Sequence, residues 1–236
     1  KEADGEQESR NPQAGITQAN ALMEEDMRDP GRKRRGLRVR QSAQRRARIA
    51  EEVLDIARVR HQAGQTEGDT LVLDDNVTAL VNDWAQTNNA AQYVQTFLKA
   101  SDSVVVFESD HLRRVLVNLL DNALRYIGKH ADSLQISTGV ATNGQAGLQV
   151  WSDGPPLEKT VERHLFEPFF SSESRSSGLG LYICRELCER HGASIAYQRI
   201  PRHTARGLVE GNAFSLVFRP AQTAHAADGP FDTPLV

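Results

Sequence analysis

No uninterrupted apolar run in this sequence approaches the roughly 20 residues that a membrane-spanning helix needs. The first residues also lack a signal-peptide pattern, so we expect a soluble fragment. The formal net charge is only −3 over 236 residues, which excludes a strong overall attraction to nucleic acid or anionic lipid. A chain of this length, with 39% apolar residues, accommodates a small helical unit followed by a globular domain.

Cysteine is scarce as well, and the two present are too few for a disulfide framework. Cys184 and Cys188 are four residues apart beside Leu187, so they should share one face of a helix. His191 follows and would be needed for a metal site, but no second pair of ligands appears near it in the sequence. We therefore interpret both cysteines as packing residues.

Apolar residues recur at helical spacing in residues 7–27 and 32–60, separated by turn residues at positions 29–31. Two amphipathic helices with a narrow apolar stripe predict a helical hairpin that pairs with a second copy in a homodimeric four-helix bundle. Polar residues interrupt the stripe at Gln13, Arg34, Arg35, Arg45 and Arg46. The dimer is therefore expected to be weak.

The predicted second helix of this hairpin is strongly basic, with nine Lys or Arg between Arg32 and Arg48. A nucleic-acid interface is one interpretation of such a segment. No aromatic or base-reading motif accompanies the charge, so we favour a solvated helix face balanced by acidic neighbours. Neither nucleic acid nor membrane is an expected partner.

The patterns predict that the chain consists of four segments. They are a helical hairpin (1–62), a polar, glycine-containing linker (63–70), a globular domain (71–220) and a disordered tail (221–236). In the globular domain the patterns predict strands at 71–73, 104–107, 134–138, 148–152, 195–200 and 214–218 and helices at 75–88, from Ser109 or Asp110 as cap to Tyr126, and from Gly180 to Gly192. Helices on one face of a mixed, mostly antiparallel sheet form an α+β sandwich.

The predicted helix from Asp110 to Tyr126 carries three polar residues beside its apolar stripe, Asn118, Asn122 and Arg125, at i, i+4 and i+7. Amide oxygens can ligate Mg²⁺ without adding charge, and a guanidinium can hold phosphate oxygens. The alternative is that both asparagines are simply solvated.

A second candidate element is the glycine-containing entry into the last helix, Gly178-Leu179-Gly180-Leu181. Glycines there let backbone N–H groups approach a phosphate, and the helix N-terminus adds a favourable partial charge. The preceding Phe166–Phe170 segment is an apolar hinge, followed by a serine-rich stretch short enough for a mobile lid. Arg175 in that stretch is placed to reach a phosphate.

These motifs, Asn118 to Ala123, Phe166 to Phe170 and Gly178 to Leu181, resemble in order and spacing the N, F and G2 boxes of histidine kinase catalytic domains. The resemblance covers about residues 71–220, and the short lid is similar to the nitrogen- and pilus-regulating sensor subgroup. It implies an ATP-binding sandwich of the histidine kinase and chaperone ATPase type. Asn122 would ligate Mg²⁺, Asn118 and Arg125 would support the phosphates, and Tyr126 would line the pocket. The other implied nucleotide-site positions are Ser152, Asp153, Gly154, Phe169, Phe170, Arg175, Gly178, Leu179, Gly180 and Leu181.

One box departs from the family pattern, in which the first Asp of D-x-G-x-G accepts a hydrogen bond from adenine. Here Ser152-Asp153-Gly154 stands in its place. Strand alternation puts Ser152 on the face of Leu148 and Val150, and Asp153 one residue out of phase. We expect weaker adenine binding, unless a hydroxyl, a water or a local shift of Asp153 compensates.

The N-terminal hairpin departs further from the family's phosphoacceptor motif, H-E-x-R-N-P. Glu8, Arg10, Asn11 and Pro12 match it, but Gln7 occupies the histidine position, by divergence or by engineering. In the family the residue matching Glu8 activates the histidine, and the one matching Asn11 orients water for dephosphorylation of the regulator. An amide nitrogen is not a usable nucleophile at neutral pH, so we expect no phosphate on position 7.

The resemblance leaves three functions to compare. A kinase would bind Mg-ATP for phosphoryl transfer to a histidine and then to a response-regulator aspartate, from a cytoplasmic position and often below a membrane-anchored sensor. Chaperone and topoisomerase ATPases place a Glu where Asn118 stands, so the missing base favours a kinase over an ATPase. A non-catalytic scaffold that binds a response regulator is favoured by Ser152 and Gln7.

Overall fold

A computed structural model of the chain describes residues 69–170 and 177–221. Several predictions fall outside the described residues. They are the hairpin with Gln7, Glu8 and Asn11, nearly all of the linker, Arg175 and nearly all of the tail. Within the described part, no helix is both long and apolar enough to span a membrane.

The described part contains seven strands and four α-helices. In chain order they are β1 (Thr70–Val72), α1 (Leu73–Thr87), a 3-10 turn (Ala91–Tyr93), β2 (Val94–Phe97), β3 (Val104–Val106), α2 (Ser109–Leu124), β4 (Leu134–Val140), β5 (Ala146–Ser152), α3 (Lys159–Arg163), α4 (Gly180–Arg190), β6 (Ser194–Thr204) and β7 (Gly207–Val217).

Five of the strands form one mixed sheet in the order β2-β4-β5-β7-β6. β2 runs parallel to β4, and the other neighbours are antiparallel. β1 and β3 form a separate two-stranded antiparallel sheet. The predicted mixed, mostly antiparallel sheet is therefore confirmed.

The helices and the sheet share one apolar core. Leu112, Val115 and Leu119 of α2 are at most 1% exposed and belong to the same cluster as Leu148 and Val150 of β5. Burial of this apolar area stabilises the domain by roughly 25 cal/mol per Å². The α+β sandwich expected from the sequence is confirmed.

Two polar contacts fix α1 within this arrangement. The buried carboxylate of Asp74 accepts hydrogen bonds from the Thr138 hydroxyl at 2.6 Å and the Ala100 N–H at 2.8 Å, which ties α1 to β4. The indole of Trp84 donates to Asp121 of α2 at 2.8 Å. Asp121 therefore connects two helices, although it lies inside the Asn118 to Ala123 motif.

Several predicted boundaries need correction. Leu73 begins α1 instead of ending the strand. The N-cap of α2 is Glu108, and the Ser109 hydroxyl donates to Asn76. β2 and α3 were not predicted, because an edge strand of four residues and a helix of five carry too few periodic positions to stand out.

Cys184 and Cys188 are both buried and not bonded to each other, which confirms the interpretation as packing residues. Cys184 lies 3.8 Å from the carbonyl oxygen of Val115, at the contact between α4 and α2. Burial raises the pKa of the Cys188 thiol to about 12 and that of Cys184 further, so both remain protonated and inert.

Candidate functional site

The first contact of the candidate site joins α2 to the N-terminus of α4. A Cβ atom placed on Gly180 would lie 2.9 Å from Oδ1 of Asn118. The Asn118 amide nitrogen donates to the backbone oxygen of Arg114 at 2.9 Å, which fixes the orientation of the side chain. The two predicted motifs therefore meet directly, and only glycine fits at position 180 with Asn118 in this orientation.

Gly178 brings a second segment to the same place. Its φ is +69°, in the region that favours glycine. A Cβ there would lie 2.7 Å from the Phe169 carbonyl carbon and 2.7 Å from the Phe170 carbonyl oxygen. The entry into α4 thus packs backbone against backbone on the end of the Phe166–Phe170 hinge, because no side chain intervenes.

The loop after β5 lies against the end of α2. Gly154 is buried, and a Cβ there would lie 3.4 Å from the Cβ of Tyr126, just beyond the end of α2. Tyr126 is 44% exposed and Phe169 is 67% exposed, so two aromatic rings remain accessible among the predicted site residues. Accessible aromatic faces are suitable for stacking on a planar base.

Asp153 is held in a hydrogen-bonded network of its own. Its side chain is 1% exposed and accepts from the Gly128 N–H at 2.9 Å, the Ser133 hydroxyl at 2.8 Å and Arg206 at 2.6 Å. Burial raises the pKa of Asp153, but these hydrogen bonds outweigh it, so the pKa lies below its ordinary value. The carboxylate thus connects the loop after α2 to the β6–β7 turn.

Ser152 is the buried last residue of β5, paired with Leu134 on one side and Asn212 on the other. Leu148 and Val150, four and two residues earlier, pack in the core shared with the helices. Alternation along the strand therefore supports the predicted register, in which Ser152 and not Asp153 is directed toward the helices.

The remaining predicted residues are distributed around these contacts. Asn122, one turn after Asn118, is half-buried, and Arg125 is exposed. Leu179 is fully buried and serves the core, whereas Leu181 is half-buried. Phe170 stacks against His164 with 5.1 Å between ring centroids. The structure brings the predicted boxes together from α2, the loop after β5 and the entry into α4.

Sequence reasoning missed the group that supports the Gly154 loop. Asn212 donates to the Pro155 carbonyl at 2.9 Å, and Arg199 donates to the Gly154 carbonyl at 3.2 Å and to Asn212 at 3.0 Å. Tyr197 also donates to Asn212, at 2.9 Å. No local pattern marks these residues, since Arg199 and Asn212 meet only through the register of the β6–β7 hairpin.

Known proteins resemble this chain in sequence. Residues 107–222 match the family described as histidine kinase-, DNA gyrase B-, and HSP90-like ATPase. Sensor protein kinase PilS of Pseudomonas aeruginosa is 32% identical over 195 residues, which make up 81% of this chain and 36% of that protein. These matches support a two-component sensor histidine kinase catalytic core in this chain.

Two further curated relatives are more distant. Sensor protein KdpD of Escherichia coli is 28% identical over 81% of the chain and 20% of that protein. Sensory histidine kinase/phosphatase NtrB of Klebsiella oxytoca is 29% identical over 41% of the chain and 30% of that protein. The chain thus spans about a third or less of the length of these curated relatives.

Solved structures share the fold of the described domain. The catalytic domain of histidine kinase ThkA matches with a TM-score of 0.53 at 22% identity, covering 66% of this chain and 96% of that one. Full-length ShkA in complex with AMPPNP matches with a TM-score of 0.61 at 16% identity, covering 82% of this chain and 40% of that one. These likenesses confirm the ATPase-type sandwich.

Proposed function

We propose that residues 71–220 bind Mg-ATP and form the catalytic domain of a histidine kinase, which transfers a phosphoryl group to a histidine and thence to a response-regulator aspartate. The observation that carries the proposal is the contact of Gly180 with Asn118, where a Cβ would come within 2.9 Å of the amide oxygen. Glycines at this helix entry leave backbone N–H groups accessible beside an oriented amide. That is a fitting surface for phosphate oxygens.

The donor set also fits a magnesium ion. Asn122 supplies an uncharged oxygen one turn after Asn118, and Arg125 supplies a positive charge at the exposed end of the same face. Bound Mg²⁺ would neutralise phosphate charge and orient the phosphates. Asn118 is neutral and directed at Gly180, so it cannot act as a general base for water, which favours transfer to another nucleophile over hydrolysis.

Adenine would lie between the end of β5 and Tyr126, with Phe169 at the rim. Ser152 offers a hydroxyl where the family offers a carboxylate, while Asp153 stays engaged with Gly128, Ser133 and Arg206. A hydroxyl is a weaker acceptor than an ionised carboxylate. Nucleotide affinity is therefore expected to be modest.

The hairpin proposed for residues 1–62 supplies the acceptor in this family, joined by the linker at 63–70. With Gln7 in place of histidine, the chain itself is expected not to autophosphorylate, although Glu8 and Asn11 match the family pattern. We further propose a weak homodimer through the hairpin, a response-regulator receiver domain as partner, and a cytoplasmic position.

Calorimetric titration with Mg-ATP tests the nucleotide proposal. Wild type should bind with sub-millimolar to millimolar affinity, and Asn122→Ala should lose at least about tenfold, or ~1.4 kcal/mol. Asp83→Asn is the matched control, because its carboxylate makes only an exposed ion pair with Arg113, at 2.8 Å. Folded protein that gives no heat with millimolar nucleotide would favour the non-catalytic, regulator-binding scaffold that Gln7 and Ser152 suggest.

Radiolabelling with Mg-[γ-³²P]ATP tests the phosphoacceptor. Wild type should carry no acid-labile, base-stable label, and Gln7→His should acquire it at high protein concentration, since proximity supplies much of the catalysis once an imidazole is present. Label on the wild type, or none on a folded, ATP-binding Gln7→His variant, would contradict the assignment of position 7.

A further inference from the structure

A group of three potential metal ligands lies at the far end of the α2 and α4 pair. Nδ1 of His111 is 2.8 Å from Nε2 of His191 and 3.1 Å from Oε2 of Glu108. All three ligand atoms lie within 4.8 Å of one another. Glu108 and His111 come from the start of α2, and His191 directly follows α4.

A single proton can serve this group only as a shared hydrogen bond. Nδ1 of His111 faces both the carboxylate of Glu108 and Nε2 of His191. A neutral ring has either a proton or a lone pair on Nδ1, so that proton is divided between two acceptors, or a proton from His191 leaves Glu108 without a donor from His111. A cation between the three atoms would use every lone pair at once.

We propose that Glu108, His111 and His191 form a binding site for a divalent transition metal, with Zn²⁺ the ion whose preferences fit best. Zinc takes two imidazole nitrogens and one carboxylate oxygen at about 2.0–2.2 Å, which gives ligand-to-ligand edges of about 3.3 Å in a tetrahedron. Edges of 2.8 and 3.1 Å approach that geometry after small side-chain rotations. The proposal does not depend on nucleotide binding.

The surroundings support a semi-rigid site with one open side. His191 is 3% exposed, and its ring lies 4.4 Å from that of Phe107, which restricts its orientation. His111 is 17% exposed and Glu108 is 35% exposed, so an ion can enter from solvent past the carboxylate. Three protein ligands with a water in the fourth position form a known coordination of Zn²⁺.

Nearby charges of both signs act on the two rings. Arg114, Arg190 and Arg219 oppose a cation, whereas Asp69, Asp110 and Glu108 itself attract one. Because the opposing charges are matched in number, the field does not exclude a divalent ion, and the direct ligands determine binding.

The test uses the full chain and the metal alone, Zn²⁺ in calorimetry and Co²⁺ in visible absorption. Glu108→Gln and His111→Gln are the site variants, and His203→Gln, at an exposed position of β6, is the matched control. His191 is left intact because it is buried. Each site variant should bind one equivalent of zinc more than about 100-fold more weakly than wild type. Substitution of even an outer-shell partner of a metal ligand lowers metal affinity about 10- to 100-fold.

Wild type and His203→Gln should also show the intense visible bands of tetrahedral Co²⁺ and a zinc-dependent rise in Tm, both absent from the site variants. Circular dichroism should show unchanged helix content for Glu108→Gln, whose substitution is isosteric and partly exposed. Equal zinc stoichiometry and affinity in wild type and folded Glu108→Gln and His111→Gln would overturn the proposal.

Discussion

The α2 and α4 helices meet at two places that are built in opposite ways. At one, Gly180 meets Asn118, and the contact depends on the absence of a side chain. At the other, His191 meets His111, and the contact consists of side chains. The two places are about 10 Å apart along α2, where Asn118 follows His111 by seven residues. They are about 16 Å apart along α4, where Gly180 precedes His191 by eleven residues.

This difference separates two kinds of site on one scaffold. The glycine end exposes backbone donors and suits a large anionic ligand. The histidine end concentrates lone pairs and suits a small cation. Buried Cys184 lies between them against Val115, so the two ends are joined by packed core and not by a continuous cleft.

The largest expected effect comes from adding a side chain at the glycine end. Gly178→Ala would force alanine to φ near +69° and place its Cβ against the backbone of Phe169 and Phe170, which cannot move independently. Mg-ATP affinity should fall more than about tenfold, that is by over ~1.4 kcal/mol. Calorimetry with thermal denaturation measures affinity and folding together.

Two matched glycines sharpen this prediction. Gly180→Ala should have a smaller effect, because its Cβ meets only the end of the Asn118 side chain. Gly139→Ala should have no effect, since nothing lies within 4 Å of its Cβ. Equal losses of Mg-ATP affinity in Gly139→Ala and Gly178→Ala would contradict the claim that nucleotide binding depends on the absence of a side chain at position 178.

Asp153 should show a stability effect of intermediate size. Asp153→Asn leaves the Gly128, Ser133 and Arg206 donors poorly paired, which should cost about 1–3 kcal/mol in free energy of unfolding. Exposed Asp83→Asn should cost less than about 1 kcal/mol. Urea denaturation at neutral pH measures both.

The pH dependence follows from the sign of the shift. The pKa of Asp153 is lower in the folded than in the unfolded state, so its stabilisation is present above the unfolded pKa and is lost as pH falls through the folded pKa. The difference between wild type and Asp153→Asn should therefore shrink below about pH 4. A difference that grows on acidification would contradict the network.

The smallest expected effect is the reaction of the native protein with a thiol reagent at Cys184 and Cys188, which lie between the two ends. Because burial raises the pKa of both thiols, neither should react with a thiol reagent such as DTNB in the native protein. Both should react once urea unfolds the chain. Rapid labelling of either thiol without denaturant would show that the contact between α2 and α4 is open.

How much the sequence predicts depends on the separation of the residues that meet. Asn118, Gly154 and Gly180 were predicted as site residues because each lies in a short motif. Strand alternation likewise placed Ser152 and Asp153 on opposite faces, in agreement with the contacts of Asp153.

Features formed by distant residues were not predictable in this way. His111 and His191 are 80 residues apart in sequence and meet only because α2 packs on α4. The residues near His191 in sequence supply no second pair of ligands, whereas the fold brings His111 and Glu108 to it. The Arg199 and Asn212 pair depends on hairpin register in the same manner.

Glycine-selective ¹⁵N NMR during a Mg-ATP titration tests the central claim, that nucleotide binds at the glycine end of the α2 and α4 pair. Glycine amides report from both the site and the periphery of the domain. The amides of Gly154, Gly178 and Gly180 should shift, while Gly139, Gly144 and Gly207 stay unchanged. Unchanged Gly178 and Gly180 amides at millimolar Mg-ATP, or shifts confined to the peripheral glycines, would contradict the claim.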